Sequence, residues 1–266
     1  MTHWILLAAP LIVASSVMLF AFVGCRLNTQ GEGFPGENGD NGEKPPVPET
    51  YKSAVLDRPD IVSFWRLSED PGEATAFDAT GTNNGTYVGN VLLGQPGLLA
   101  SDADAAAVFD GATAHVDLPF VVDVSAAFTL ECLVRAQALD GLPTIVSQRD
   151  GTGTGRALLF LNASSNFVSN LGGTMRDSGF TAAVDTTYHV VLTFAGGTDG
   201  EWAFYVDGAQ TATGTATGEA ATDGWLIGVN KLGAEFWNGT IDEVAVYNTA
   251  LDAATIQSHF ELASTV

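Results

Sequence analysis

From Tyr51 onward the chain alternates apolar and polar residues with a period of two. Between Phe128 and Val134, the residues Phe128, Leu130, Cys132 and Val134 share one face. Tyr188, Val190, Leu192 and Phe194 do the same in the next clear segment, and Trp202, Phe204 and Val206 in the one after. This spacing predicts half-buried β-strands. Asp-Gly pairs stand at Asp110, Asp140, Asp150, Asp199, Asp207 and Asp223, and Asn-Gly pairs at Asn84 and Asn238. Such pairs accept the positive φ of tight hairpin turns. Tyr205-Val206-Asp207-Gly208 predicts a strand running straight into its turn. Many short, closely spaced strands predict an all-β sandwich or barrel. One helix is predicted over Thr249–Leu262, where Leu251, Ile256 and Phe260 supply an apolar side and Asp252 is the candidate N-cap.

The pattern before Tyr51 is different. Trp4 to Val23 is almost wholly apolar, and Gly24-Cys25 follows. Phe22-Val23-Gly24-Cys25 resembles the lipobox of bacterial lipoproteins, in which the cysteine receives the lipid and becomes the new N-terminus. The same stretch is nearly long enough for a membrane-spanning helix. Residues 1–24 are therefore expected to be a signal peptide or a membrane anchor, with lipidation at Cys25 in the first case. Both place the remainder in the cell envelope, membrane-anchored and facing the periplasm or the exterior. Residues 25–50 form a Gly/Pro-rich linker, with five glycines between Gly31 and Gly42 and then Pro45, Pro46 and Pro48. It has too little apolar surface to offset its chain entropy. Residues 51–266 form a single domain.

Composition narrows the partners. The 266-residue chain carries a formal net charge of −21, with only 10 Lys and Arg. Such a surface repels phosphate, so nucleic acid is excluded as a partner. Hydrophobic residues make up 46% of the chain, enough for a true core. There are two cysteines. If Cys25 is lipidated, Cys132 has no disulfide partner and becomes a small buried strand residue.

Several segments, in order, resemble the laminin G-like jelly-roll family of concanavalin A-like lectin/glucanase domains. They are Ile61-Val62-Ser63-Phe64-Trp65-Arg66-Leu67, the loop from Phe77 to Tyr87, Val108-Phe109-Asp110-Gly111, and Phe128 to Val134. Tyr188 to Phe194, Tyr205 to Gly208 and the closing strand Phe236 to Tyr247 follow. The resemblance implies two stacked antiparallel sheets in a jelly-roll sandwich with a short C-terminal helix. It also implies a possible structural Ca²⁺, because relatives build one from an early loop and the last strand. Asp78, Asn84 and Asp242 occupy those segments and supply the oxygen ligands that Ca²⁺ requires.

Chemistry is sparse in the sequence itself. The four histidines are scattered, with no HExxH pair for zinc and no G-x-S-x-G elbow. Glycoside hydrolysis needs two carboxyl groups flanking one bond. Asp242 and Glu243 are adjacent, so on a regular strand they point to opposite faces. Asp102 and Asp104 lie in an Ala-rich, loop-like stretch. No catalytic residue is expected on this reading. Trp225 and Tyr205 are the candidate ligand-binding residues, since sugars stack on aromatic faces. The resulting expectation is a non-catalytic extracytoplasmic binding module for a glycan or a surface protein. The alternatives are a structural or adhesive envelope protein, or a glycoside hydrolase on the same fold.

Overall fold

The computed structural model describes residues 49–100, 102–120, 122–148, 156–219 and 223–265. The chain divides into two compact units, residues 1–46 and 47–266. The signal or anchor, Cys25 and the linker up to residue 48 lie outside the described residues. No described helix is long and apolar enough to cross a membrane.

In chain order the elements are α1 (Tyr51–Leu56), β1 (Ile61–Trp65), β2 (Thr75–Ala76), β3 (Gly85–Val88), β4 (Leu92–Pro96) and β5 (Ala105–Asp110). Then come β6 (His115–Leu118), β7 (Phe128–Ala136), β8 (Thr144–Gln148), β9 (Arg156–Leu161), β10 (Asn166–Ser169) and β11 (Arg176–Thr181). The chain ends with β12 (Thr187–Phe194), β13 (Gly200–Val206), β14 (Ala209–Ala216), β15 (Trp225–Ile227), β16 (Asn238–Tyr247) and α2 (Ala253–Ser264). One antiparallel sheet runs β14-β13-β12-β7-β16-β5-β4, with β1 also paired to β16. The other runs β11-β10-β9-β8-β15-β6-β3-β2. Two antiparallel sheets, a C-terminal helix and strand neighbours far apart in sequence make the expected jelly-roll sandwich.

The period-two faces hold. Phe128, Leu130, Cys132 and Val134 of β7 meet Tyr188, Val190, Leu192 and Phe194 of β12 and Trp202, Phe204 and Val206 of β13 in the main core between the sheets. Cys132 is a free, buried thiol whose pKa burial pushes up. Asp207 and Gly208, with φ of 50° and 75°, make the β13–β14 turn. Asp252 caps α2 by accepting from the Thr255 N–H.

The opposite face of the β7–β12–β16 sheet is also buried, which alternation alone did not foretell. A second apolar cluster of Tyr51, Val55, Leu133, Val191, Tyr205, Tyr247, Ile256 and Ala263 lies there under α1 and α2. The short α1 was not anticipated. Thr50 and Ser53 form a reciprocal capping box at its start, and Tyr51 and Val55 bury its inner side.

Candidate functional site

The last strand carries an irregularity that sets the site. Along β16, Asp242 pairs with Leu133 and Ala245 with Glu131, so Glu243 and Val244 together stand opposite one residue of β7. This is a β-bulge. Glu243 takes φ 52° there, a left-handed conformation costly for a residue with a Cβ. The bulge breaks the rule that adjacent strand residues face opposite ways. Asp242 and Glu243 now serve one cluster.

Arg66 is its centre. This residue follows β1, and the next residue, Leu67, is itself left-handed at φ 55°. The Arg66 guanidinium donates to Glu243 Oε1 from Nε at 2.9 Å and from Nη2 at 2.7 Å. The same Nη2 lies 2.6 Å from Asp104 Oδ2 and 3.0 Å from Asp102 Oδ2. Burial works against the arginine's charge, but Glu243 and its acidic neighbours more than offset this and raise its pKa. Asp242 accepts the Leu98 N–H at 2.8 Å through Oδ2. Its buried Oδ1 has no hydrogen-bond partner among the described residues. Burial, reinforced by the charge of Asp104, pushes the Asp242 pKa up to about 7. Burial, together with Asp242, also raises Glu243. Both carboxyl groups are raised, so the pair retains a proton between them, and Arg66 donates twice to Glu243 and not to Asp242. One arginine thus faces four carboxyl groups, one of them protonated near neutral pH. Gly97 permits the closeness: a Cβ there would sit 2.4 Å from the Asp104 carbonyl oxygen and 3.5 Å from Asp242 Oδ2.

A second buried polar centre lies under the helices. Glu131, on the outer face of β7, is fully buried. It accepts from Tyr51 of α1 (3.1 Å), Tyr247 of β16 (2.9 Å), His189 Nε2 of β12 (2.7 Å) and His259 Nδ1 of α2 (3.1 Å). Burial opposes its ionisation, but His259 and His189 prevail and hold its pKa well below the usual range. Burial pulls the His259 pKa down, and Glu131 more than reverses this, raising it. Two histidines that look scattered along the chain meet on one carboxylate.

The residues singled out from the sequence are distributed unevenly. Asp78 and Asn84 share one loop, the Asn84 side chain accepting the Asp78 N–H. The Asp78 carboxylate accepts from the N–H groups of Phe64, Thr80 and Asn83 and from the Thr80 hydroxyl. These four donors hold the Asp78 carboxylate as the anchor of its own loop. Asp242 accepts the Leu98 N–H through Oδ2 and shares no hydrogen bond with Asp78 or Asn84. Among the described residues no group of three His, Cys, Asp or Glu is placed to hold a metal. Trp225 is fully buried, edge-on to Phe120 at 5.3 Å, and presents no face to a sugar. Its place at the start of a strand after Asp223-Gly224 suggested exposure, but register sets it inward between Gln148 and Leu118. Tyr205 does face away from Trp202 and Phe204, as its phase implies, but it belongs to the second core and is 6% exposed. Arg66, Asp102, Asp104 and Glu243 were not selected as site residues. Arg66 and Glu243 stand within the resembling segments at 61–67 and 236–247, and nothing in the sequence ties Asp102 and Asp104 to them.

Residues 110–257 match the profile of the concanavalin A-like lectin/glucanases superfamily, more than half the chain. The chain belongs to this superfamily. No curated protein matches it in sequence. Among solved structures it is similar to the Trypanosoma rangeli sialidase, at 18% identity and a TM-score of 0.59, over 78% of this chain and 34% of that one. The same sialidase in complex with sialic acid gives 20% identity and a TM-score of 0.60 over the same shares. It is also similar to domain 4 of AbnA, a GH43 extracellular arabinanase from Geobacillus stearothermophilus solved with arabinotriose. That match has 17% identity and a TM-score of 0.58, over 77% of this chain and 98% of that domain. The superfamily member described here spans about a third of the sialidase chain. At these identities the likeness establishes the fold.

The expectation of a non-catalytic binding module, and of no enzyme, is corrected here. The fold is shared with chains of a sialidase and with a domain of an arabinanase. The physical ground for excluding catalysis was the missing carboxylate pair, and the bulge at Glu243 removes it. Adjacent carboxyl groups do converge in this sandwich, together with two more from the loop before β5.

Proposed function

We propose that this chain is a glycoside-processing protein that hydrolyses glycosidic bonds, with the Arg66–Asp104–Asp242–Glu243 cluster as its reacting centre. The observation that carries this is Asp242, a buried carboxyl group holding its proton up to about pH 7 beside other carboxylates. Hydrolysis of a glycosidic bond uses one carboxyl group as proton donor and a second as proton acceptor. In this reading Asp242 gives its proton to the leaving glycosidic oxygen as the C–O bond breaks. Asp104 takes a proton from the attacking water. Arg66 holds Glu243 and Asp104 in place. The approach is from the exposed side, where Asp104 and Asp102 have side chains 19% and 40% exposed. A cleft of about 340 Å³ lined by Tyr51, Leu99, Asp102 and Leu262 borders that side. Membership in a lectin/glucanases superfamily and the likeness to sialidase and arabinanase chains support a glycan as the partner.

The test is release of reducing ends by the full chain from arabino-oligosaccharides, sialyl-oligosaccharides and β-glucans. Turnover on one class is expected, with Asp242→Asn lowering kcat by about 100-fold or more at unchanged KM. No release above blank from any class, or an Asp242→Asn protein as fast as the parent, overturns the reading. The placement outside the cytoplasm, held by a lipid on Cys25 or by an uncleaved helix, is part of the same proposal. It is supported by the apolar stretch and the lipobox-like residues 22–25.

A further inference from the structure

We propose a second ligand site, a pocket for one neutral sugar unit between α2 and the outer face of the β7–β12 sheet, read by the unpartnered Nδ1 of His189. The pocket measures about 420 Å³, inside the roughly 300–1,000 Å³ of small-molecule sites. Its lining includes Leu98, Leu133, Thr187, His189, Asp207 and Phe260, and Ser264 stands at the end of α2.

His189 supplies the built part. Its side chain is 1% exposed, and Nδ1 has no hydrogen-bond partner among the described residues. The other nitrogen, Nε2, is directed away from the pocket to Glu131 at 2.7 Å. An ionised carboxylate can only accept, so Nε2 carries the proton. In the neutral ring Nδ1 is then a bare lone pair. Left unsatisfied, it carries a desolvation penalty that a ligand hydroxyl would relieve. The ring cannot turn to find a partner of its own: Glu131 holds one edge, and Phe260 stacks on the face at 6.1 Å and 22°.

The lining selects the ligand's chemistry. Its polar members are His189, with the buried, unpartnered Nδ1, Asp207, whose carboxylate accepts the His189 N–H, and the hydroxyls of Thr187 and Ser264. No Lys or Arg is among the lining residues, so a phosphate or carboxylate ligand has no counter-charge. Leu98, Leu133 and Ala263 supply apolar surface suited to the C–H face of a pyranose or furanose. A compact ligand rich in hydroxyl donors with one apolar face meets all of these. The pocket is separate from the Asp242 cluster, though Leu98 borders both: its N–H bonds Asp242 and its side chain lines the pocket. Binding here does not depend on hydrolysis there.

The experiment is ¹⁵N NMR of the histidine rings in the full chain, titrated with arabinose, galactose, glucose and arabinotriose. Tris and spermidine serve as amine probes, and inorganic phosphate as an anion probe. The His189 signals are assigned by their loss in His189→Gln. A neutral sugar is expected to move the His189 Nδ1 resonance saturably, and equally in Asp242→Asn. Thr187→Trp, which fills the rim from an exposed position without touching Glu131, is expected to weaken that binding about tenfold or more. No movement with any sugar, movement with amines or phosphate alone, or an unaltered response in Thr187→Trp overturns the site.

Discussion

Asp242 has the most to say at the scale of single residues. Its folded pKa of about 7 stands above the ordinary value of 3.8. Ionising it penalises the folded state and leaves the unfolded chain untouched. Its contribution to stability is therefore whole below about pH 4 and is lost as pH rises through 7, by on the order of a few kcal/mol. Asp242→Asn, which keeps the shape and removes the titration, should flatten this limb. Urea midpoints at pH 5 and pH 8 check it: the parent should fall more than the variant, and parallel losses would mean Asp242 is not the proton holder. The neighbouring Glu243 was legible as a charged strand residue but not as a partner of Asp242. Adjacent residues diverge on a regular strand, and nothing in Ile241-Asp242-Glu243-Val244 announces a bulge, since left-handed backbone is ordinarily signalled by Gly or Asn.

At the scale of elements, Glu131 joins what the chain order separates. Tyr51 on α1, His259 on α2, His189 on β12 and Tyr247 on β16 all bond its two oxygens. Removing one partner of a buried ionic group costs about 3–5 kcal/mol, because the rest is left uncompensated. Glu131→Ala should destabilise the domain by that order, and Glu131→Gln by less. The lowered pKa of Glu131 gives a contribution that is whole above about 4.5 and lost as pH falls toward its folded value. Glu131→Gln should accordingly lose the acid limb of the parent's stability profile. Hydrogen exchange should report faster amides across α2 in both variants; unchanged protection there would show that apolar packing alone seats the helix. The helix itself was readable, from Asp252 and the Ile256–Phe260 spacing. Its docking partner was not, because Glu131 reads as the polar side of an alternating strand, and only the covering helices turn that side into an interior.

For the whole molecule, the acidic surface and the N-terminal pattern make the clearest forecast. A net charge of −21 with 10 basic residues in the chain disfavours phosphate-rich surfaces, so the proposed membrane attachment would fall to the first 25 residues. Expressed in a bacterial host, the parent should fractionate with membranes and incorporate labelled palmitate. Incorporation of the label by the parent, and its loss in Cys25→Ser, identifies the lipid anchor. Membrane association of the parent with no label identifies an uncleaved helix.

The sandwich itself could be read along the chain, because its strands are specified by alternation and by Asp-Gly and Asn-Gly turns, which are local properties. The inward faces of β7, β12 and β13 were correct for the same reason. The cluster around Arg66 could not be read that way. Its members come from residues 66, 102, 104, 242 and 243 and meet only when β1 pairs with β16 and the loop before β5 folds over both. The same holds for His189 and His259 on Glu131, and for Trp225, whose burial follows from its register between β8 and β6. Periodicity determines which side of a strand is apolar. Which carboxyl groups share a proton, and which aromatic ring reaches solvent, depends on what the tertiary fold lays against that strand.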